Sequence, residues 1–285
     1  MVMPASANLP PPTDIDRDLD QYLTMDGARL RFRDGGSGPT VVMVHGWTLD
    51  LEMWEPQVAA LRDAFRLIRF DRRGFGLSSG RPSVVQDIAD IGALCGHLGI
   101  GRAALVGMSQ GVRAVIGFAL SAPDRVSCLI LDGPPQFESG APPAVDDVPI
   151  EHYRTLVRDC GMGAFRREWS VHRLLSLRTA DPRMHEILGA MLLRYPGYDL
   201  LETAVTQAVP HASEAIASID VPVAVITGDG DLESRLQAAD QLARQLRGAE
   251  RASIRNAGHL ANLDNPKDYN IIVRSFLERF ALPVR

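Results

Sequence analysis

Short apolar runs bounded by turn residues recur along the chain, and most are separated by stretches with the period of an amphipathic helix. Seven of these runs are predicted as β-strands: residues 28–33, 40–44, 66–70, 103–106, 126–131, 223–227 and 252–254. Continuous Val/Ile/Leu strands that alternate with helices are typical of a parallel sheet covered on both faces. The pattern therefore predicts an α/β fold.

Three of the intervening stretches carry apolar residues at the spacing of one buried helix face. These residues are Ile88, Ile91, Cys95 and Leu98 in the first, Leu236, Ala239, Leu242 and Leu246 in the second, and Tyr269, Ile272, Phe276 and Phe280 in the last. Pro266 stands in the first turn of the last predicted helix, where proline is tolerated.

The stretch from residue 134 to residue 210 breaks the alternation, because no run in it predicts a strand. Two apolar stripes predict helices here: Ile150, Tyr153, Val157 and Cys160, and then Met184, Leu188 and Met191. We therefore expect a helical cap over residues 134–210, inserted into a core made of residues 25–133 and 211–285. The first 24 residues are rich in proline and acidic side chains, so we expect a loose arm there.

The composition excludes several classes of partner. The 285-residue chain has a formal net charge of −5, which gives no reason to expect nucleic acid, and we interpret Arg72-Arg73 as part of local ion pairs. Three cysteines without close spacing argue against a disulfide framework or a zinc site and fit a reducing compartment. The chain shows no secretory signal and no apolar stretch of membrane-spanning length. We expect a cytoplasmic monomer or homodimer without a metal or an organic cofactor.

The segment Gly107-Met108-Ser109-Gln110-Gly111 follows one predicted strand and precedes a helix-like run. A serine at such a tight strand-to-helix turn adopts a strained backbone conformation, which lifts its hydroxyl clear of the sheet. Both flanking positions require glycine because the neighbouring turns approach closely. The segment therefore makes Ser109 a candidate nucleophile.

A serine hydroxyl needs a base, and the base needs an acid that orients it. Among seven histidines, His259 alone follows the last predicted strand, in a loop that can return over the carboxyl edge of the sheet. Two aspartates end the preceding strand, and we prefer Asp231 as the acid. Asp229 is the alternative, because the pattern does not resolve an offset of two residues. Asp132, which ends the strand "LILD", is a third contender.

Acyl transfer also needs two N–H donors for the negative charge that develops on the substrate oxygen. One donor is the backbone N–H of Gln110, directly after the serine. The other is expected in the loop after the strand "VVMV", where Gly46 allows close approach and Trp47 supplies the N–H. The Trp47 indole is also expected to pack in the pocket wall.

These segments together resemble the α/β-hydrolase fold family, and within it the capped serine hydrolases. The resemblance rests on "VVMVHGW", "FDRRGFGLSS", "LGIGRAALVGMSQG", "VITGDGD" and "NAGHLANLDNP", which occur in the family's order and cover most of residues 26–133 and 215–285. It implies a mostly parallel eight-stranded sheet with helices on both faces and an inserted helical cap. The chain looks most similar to the ester and lactone hydrolases grouped with 3-oxoadipate enol-lactonases.

The resemblance implies a serine hydrolase that cleaves a carboxylic ester or lactone of a small to medium apolar substrate through an acyl-enzyme intermediate. The expected pocket lining is His45, Met108, Phe137, Phe165, Trp169, Met191 and Leu260. The same fold also hosts cofactor-free oxygenases, perhydrolases and small-molecule receptors, and these alternatives stay open at this point.

Overall fold

A sheet of eight strands forms the centre of the computed structural model, which describes residues 19–137, 148–201 and 213–281. The strand order is β1-β2-β4-β3-β5-β6-β7-β8. The strands are β1 (Gln21–Met25), β2 (Ala28–Gly35), β3 (Thr40–Val44), β4 (Arg66–Phe70), β5 (Ala103–Met108), β6 (Val126–Asp132), β7 (Val223–Gly228) and β8 (Glu250–Ile254). β2 runs antiparallel to β1 and β4, and all other pairs are parallel. The predicted mostly parallel α/β sheet is confirmed.

The edge strand β1 was not expected, since the loose arm was predicted to extend to residue 24. The structure corrects this boundary: Gln21–Met25 pairs with β2, and its side chains alternate between half-buried and exposed. β1 is an edge strand, and only one of its faces is partly buried. It therefore lacks the continuous apolar run that identifies the central strands. Residues 1–18 lie outside the described residues.

Two helical layers cover the sheet, and successive strand residues point to opposite layers. In β3, Val41 and Met43 belong to one apolar cluster, whereas Val42 and Val44 belong to the other. The first cluster includes α1 (Glu55–Leu61) and α10 (Pro266–Phe280), and the second includes α2 (Val84–His97), α3 (Gln110–Ser121) and α8 (Glu233–Gln245). The stripe predicted for α2 is confirmed, with Ile91 and Cys95 buried.

Short helices complete the core. They are the α-helices α7 (Ser213–Ala217) and α9 (Ala261–Asp264), together with the 3₁₀ helices Leu51–Trp54 and Pro123–Arg125. α9 follows directly after Leu260, and its four residues are all buried. It therefore fixes the end of the loop that carries residue 259.

Helices α4 (Ile150–Trp169), α5 (Pro182–Arg194) and α6 (Tyr198–Leu201) follow β6, together with the 3₁₀ helix Arg173–Leu175. α4 bends at Gly161, whose φ of 79° is outside the helical range. The Asp181 side chain accepts a hydrogen bond from the Arg183 backbone and caps α5, as the Asp-Pro pair predicts. The predicted cap ends, 134 and 210, stay predictions, because residues 138–147 and 202–212 lie outside the described part of the chain.

Buried polar contacts join these helices to the core. The Trp169 indole donates to the Thr48 hydroxyl at 2.8 Å. The Arg194 guanidinium bridges Asp50 at 2.8 Å and Glu52 at 2.6 Å. The side chains at the core end of these contacts lie on the segment just after β3, so α4 and α5 are attached beside the carboxyl edge of the sheet.

Candidate active site

Ser109 occupies the turn between β5 and α3 with φ 50° and ψ −116°, a conformation rarely adopted by residues other than glycine. Its N–H donates to the Asp132 carbonyl at 2.8 Å, which ties the turn to β6. A Cβ at Gly107 would lie 2.8 Å from the Gly111 carbonyl oxygen, and one at Gly111 would lie 2.7 Å from the His45 carbonyl oxygen. Neither flanking position has room for a side chain, as predicted.

His259 and Asp231 form a buried pair beside this turn. The His259 Nδ1 lies 2.8 Å from Asp231 Oδ2, and the two side chains are 5% and 1% exposed. The other carboxylate oxygen of Asp231 accepts the Leu232 N–H at 2.7 Å, which fixes its orientation. This arrangement leaves the Nε2 of His259 for a second partner.

The two alternative acids lie in other surroundings. Asp229 accepts the backbone N–H groups of Asn256 and Ala257 at 3.1 and 3.3 Å. Asp132 is fully buried at the end of β6, where burial and the neighbouring Asp231 raise its pKa well above the usual range. Of the three aspartates weighed from the sequence, the structure brings Asp231 into hydrogen-bond contact with His259.

The His259 imidazole lies directly against Gly133, the first residue after β6. A Cβ at Gly133 would stand 2.8 Å from Cε1 and 3.0 Å from Nδ1 of the ring. The φ of Gly133 is +53°, which also favours glycine. This backbone position therefore limits where the imidazole can sit, and the sequence pattern did not single it out.

The loop after β3 approaches Ser109 from the other side. A Cβ at Gly46 would lie 3.3 Å from the Ser109 Cβ, so the backbone that leads into Trp47 passes close to the serine. Gln110 is the first residue of α3, so its N–H lies in the first turn, where no intrahelical acceptor exists. The structure thus brings the two expected oxyanion-hole residues to either side of Ser109.

The Trp47 indole faces the cap. Its Nε1 donates to Asp199 Oδ2 at 2.6 Å, and the Tyr195 hydroxyl donates to the other oxygen of the same carboxylate at 2.5 Å. Its ring lies edge-on to the Trp169 ring with centroids 4.8 Å apart. The indole therefore forms part of the pocket wall, as expected from the sequence.

Two cavities meet at Ser109 and share Trp47, Val148 and Arg235 in their walls. The smaller measures about 40 Å³, and its remaining lining is Leu49, Met108, Trp169, Leu174, Leu175, His259 and Leu260. The larger measures about 320 Å³, and its lining combines apolar residues such as Phe75 and Ile150 with charged ones such as Arg113 and Glu151. Of the residues expected in the pocket, Met108, Trp169 and Leu260 line the smaller cavity.

Four residues expected in the pocket lie elsewhere. Phe165 on α4 and Met191 on α5 are buried within the first apolar cluster, and neither lines the two cavities. Phe137 packs against α8, 5.0 Å from the Arg113 guanidinium. His45 is fully buried under the loop, so it belongs to the scaffold of the site rather than to the pocket.

Both ring nitrogens of His45 make hydrogen bonds inside the protein, so the ring can be buried without an unpaired polar atom. Nε2 accepts the Arg72 N–H at 2.9 Å, and Nδ1 donates to the Gly46 carbonyl at 2.8 Å. This pattern requires a neutral ring, because the first nitrogen must be an acceptor. Burial, with a smaller contribution from the Arg72 charge, lowers the pKa of His45 to about 3.

Arginines that the sequence pattern did not assign to the site line the larger cavity. They are Arg72, Arg113, Arg154 and Arg235. Arg72 forms the local ion pair predicted for it, at 2.6 Å from Asp87, and also donates to the Gln110 side chain at 2.9 Å. Arg72 is the second residue after β4, at the carboxyl edge of the sheet, and this position could have identified it as a candidate site residue. Arg235 follows Asp231 by four residues and enters the site on the first turn of α8.

The fold and this arrangement agree with the comparison to known proteins. Residues 41–270 match the alpha/beta hydrolase family, so the chain belongs to that family.

Individual relatives cover nearly the whole chain. A pimeloyl-[acyl-carrier protein] methyl ester esterase of Nitrosomonas europaea is 26% identical, over 85% of this chain and 97% of its own. The structure of a thermophilic esterase from Thermogutta terrifontis superposes with a TM-score of 0.78 at 27% identity, covering 92% of this chain and 98% of the other. The enol-lactonase from Burkholderia xenovorans gives a TM-score of 0.75 at 26% identity, covering 90% and 100%.

Within residues 19–137, 148–201 and 213–281, no group of three or more His, Cys, Asp or Glu side chains is placed to hold a metal ion. In the same three segments, no helix has the length and apolar character needed to cross a membrane.

Proposed function

We propose that the protein hydrolyses a carboxylic ester or lactone through an acyl-enzyme formed on Ser109. The observation that carries the proposal is that Ser109, in its strained turn, and His259, which is hydrogen-bonded to Asp231, line one small cavity. A strained serine, an imidazole and a carboxylate that orients it are the parts that nucleophilic acyl transfer requires. The esterases and the enol-lactonase among the similar proteins support the same class of reaction.

In the proposed first step, Ser109 Oγ attacks the carbonyl carbon while His259 Nε2 takes the hydroxyl proton. Asp231 holds the opposite ring nitrogen and stabilises the imidazolium that forms. The negative charge on the carbonyl oxygen is stabilised by the N–H groups of Trp47 and Gln110. The alcohol leaves with the proton that the imidazole returns to it.

In the second step, water attacks the acyl-serine and His259 acts as base again, which releases the carboxylic acid and restores the Ser109 hydroxyl. The cap supports both steps by covering the site: Trp169 contributes to the wall of the cavity that contains Ser109 and His259. Exclusion of bulk water strengthens the electrostatic interactions within the cavity.

The test is a panel of esters and lactones, graded in acyl and alcohol size, measured with the wild type and with Ser109→Ala. We expect turnover of at least one substrate to fall by about 10⁴-fold or more in the variant, with an unchanged circular dichroism spectrum. Ser218→Ala, on the exposed surface after α7, is the matched control and should retain wild-type turnover. Ester hydrolysis at the wild-type rate by Ser109→Ala would overturn the proposal.

A further inference from the structure

The two cavities at Ser109 differ in size and in their access to His259. Ser109 and Trp47 line both cavities, and Gln110 lines the larger one. Over the described part of the chain, His259 belongs to the wall of the smaller cavity and not to that of the larger. A carbonyl carbon bonded to Ser109 Oγ can therefore direct its acyl chain into one cavity and its alkoxy group into the other.

Proton transfer decides which group enters which cavity. The alkoxy oxygen leaves only when it receives a proton from His259, so it must come within hydrogen-bond reach of the imidazole. Since Nδ1 is held by Asp231 at 2.8 Å, the proton comes from Nε2. The alkoxy group therefore lies on the side of the smaller cavity, where His259 forms part of the wall, and the acyl chain extends into the larger one.

The sizes of the cavities then set the sizes of the two groups. The smaller cavity of about 40 Å³ has room for about three heavy atoms, because one water-sized group needs about 10–15 Å³. A methoxy or ethoxy group fits this space. The larger cavity of about 320 Å³ lies in the range of small-molecule pockets and accommodates a much longer chain.

The wall of the smaller cavity is built from buried side chains that hold one another in place. The Trp169 indole donates to the Thr48 hydroxyl at 2.8 Å, and the His172 ring stacks on the indole with centroids 4.6 Å apart. His172 Nδ1 in turn accepts the Leu174 N–H at 3.2 Å. Leu174 and Leu175, both buried in the 3₁₀ helix Arg173–Leu175, line the cavity. These contacts oppose any widening of the cavity for a longer alkoxy group.

We propose that the substrate is an ester of a short alcohol, such as methanol or ethanol, with a longer acyl chain. The alkoxy group occupies the smaller cavity beside His259, and the acyl chain occupies the larger cavity. This inference rests on the proposed function of Ser109. It makes Leu174 and Leu175 specificity-determining residues, because they limit the space that receives the alcohol.

The test compares two isomeric esters, methyl hexanoate and pentyl acetate, which carry their long chain on opposite sides of the ester bond. We expect the wild type to favour methyl hexanoate at least about 10-fold in kcat/KM, because even one methylene that does not fit a pocket costs about 10- to 200-fold. Leu174→Ala leaves a methyl group where an isobutyl group stood, so kcat/KM for pentyl acetate should rise and the ratio should fall toward one. Leu175→Ala should change the ratio in the same direction.

Two controls separate this effect from a general change in the protein. Leu193→Ala makes the same substitution on the exposed surface of α5, and its ratio should equal that of the wild type. Ile150→Ala shortens a side chain in the wall of the larger cavity, and it should leave kcat/KM for pentyl acetate unchanged.

Three results would count against the inference or against its basis. Equal or greater use of pentyl acetate by the wild type would overturn the inference. So would an unchanged ratio in Leu174→Ala and Leu175→Ala proteins that keep the wild-type circular dichroism spectrum. Both results leave Ser109-dependent hydrolysis intact, whereas hydrolysis at the wild-type rate by Ser109→Ala would overturn the proposed function itself.

Discussion

Adding one methyl group at Gly133 tests the arrangement of the site without replacing any of its reacting groups. The Cβ of Gly133→Ala would stand 2.8 Å from His259 Cε1, whereas carbon atoms pack at about 3.5–4.0 Å. The imidazole must therefore move by about 0.7 Å or more, away from its place beside Asp231 and Ser109. Since a displacement of about 1 Å costs on the order of 100-fold in rate, we expect kcat to fall by about 10- to 100-fold.

The same substitution also forces alanine into a positive φ of 53°, which costs about 1 kcal/mol of stability. Gly99→Ala separates the two effects, because Gly99 has a φ of +66° and a Cβ there meets nothing within 4 Å. Gly133→Ala should lose at least as much stability in urea unfolding as Gly99→Ala, because its clash adds to the backbone strain, but only Gly133→Ala should lose turnover of the best ester from the panel. A Gly133→Ala protein with wild-type kcat would refute the reasoning that this imidazole position is needed.

Two predictions concern stability. His45 has a pKa of about 3 when folded and 6.5 when unfolded, so acidification to pH 5.5 should cost the folded state about 1.4 kcal/mol. Burial and the neighbouring Asp50 raise the pKa of Asp71 to about 7, which changes stability with pH in the opposite direction. The measurement therefore compares the free energy of urea unfolding of wild type and His45→Asn at pH 7 and at pH 5.5. Equal pH dependence of the two proteins would contradict the prediction. Asp87→Asn breaks the buried pair with Arg72 and should lower the free energy of unfolding by about 3–5 kcal/mol; a loss below about 1 kcal/mol would contradict it.

The fold was predictable because the central strands are buried on both faces. Every residue of β5, β6 and β7 is buried, which requires the continuous apolar runs that the sequence shows. The alternating pattern of β1 lacks that signal, and the structure was needed to find it. The continuous apolar runs of β5, β6 and β7 thus identify these strands from local sequence, whereas β1 has no such run.

The candidate site residues also differ in how well the sequence predicts them. Ser109 and His259 were singled out because a glycine pair and a position after the last strand are local signals. Asp229 and Asp231 follow the same strand, and the turn between them decides which carboxylate reaches the imidazole. The backbone dihedral angles of this turn depend on its packing against the loop that carries His259, almost 30 residues further along the chain. The spacing of residues in the sequence does not predict such packing.

The pocket lining was the least predictable part. Phe137 has the size and character of a pocket residue, yet it lies against α8 beside the Arg113 guanidinium. Arg235 has the character of a surface residue of a polar helix, yet it is buried at the junction of the two cavities. Their places depend on how the cap helices and α8 pack against the core, and these are contacts between distant segments.

The hydrogen bond from Trp47 to Asp199 has a consequence for exchanging parts between related proteins. A chimera that received a foreign lid without an acceptor at position 199 would leave the indole without its anchor. The loop that bears residue 47 would then be free to shift, and the grafted protein would change reaction rate as well as substrate preference. In this chain, the helices that would cover the proposed site also hold the loop that bears residue 47.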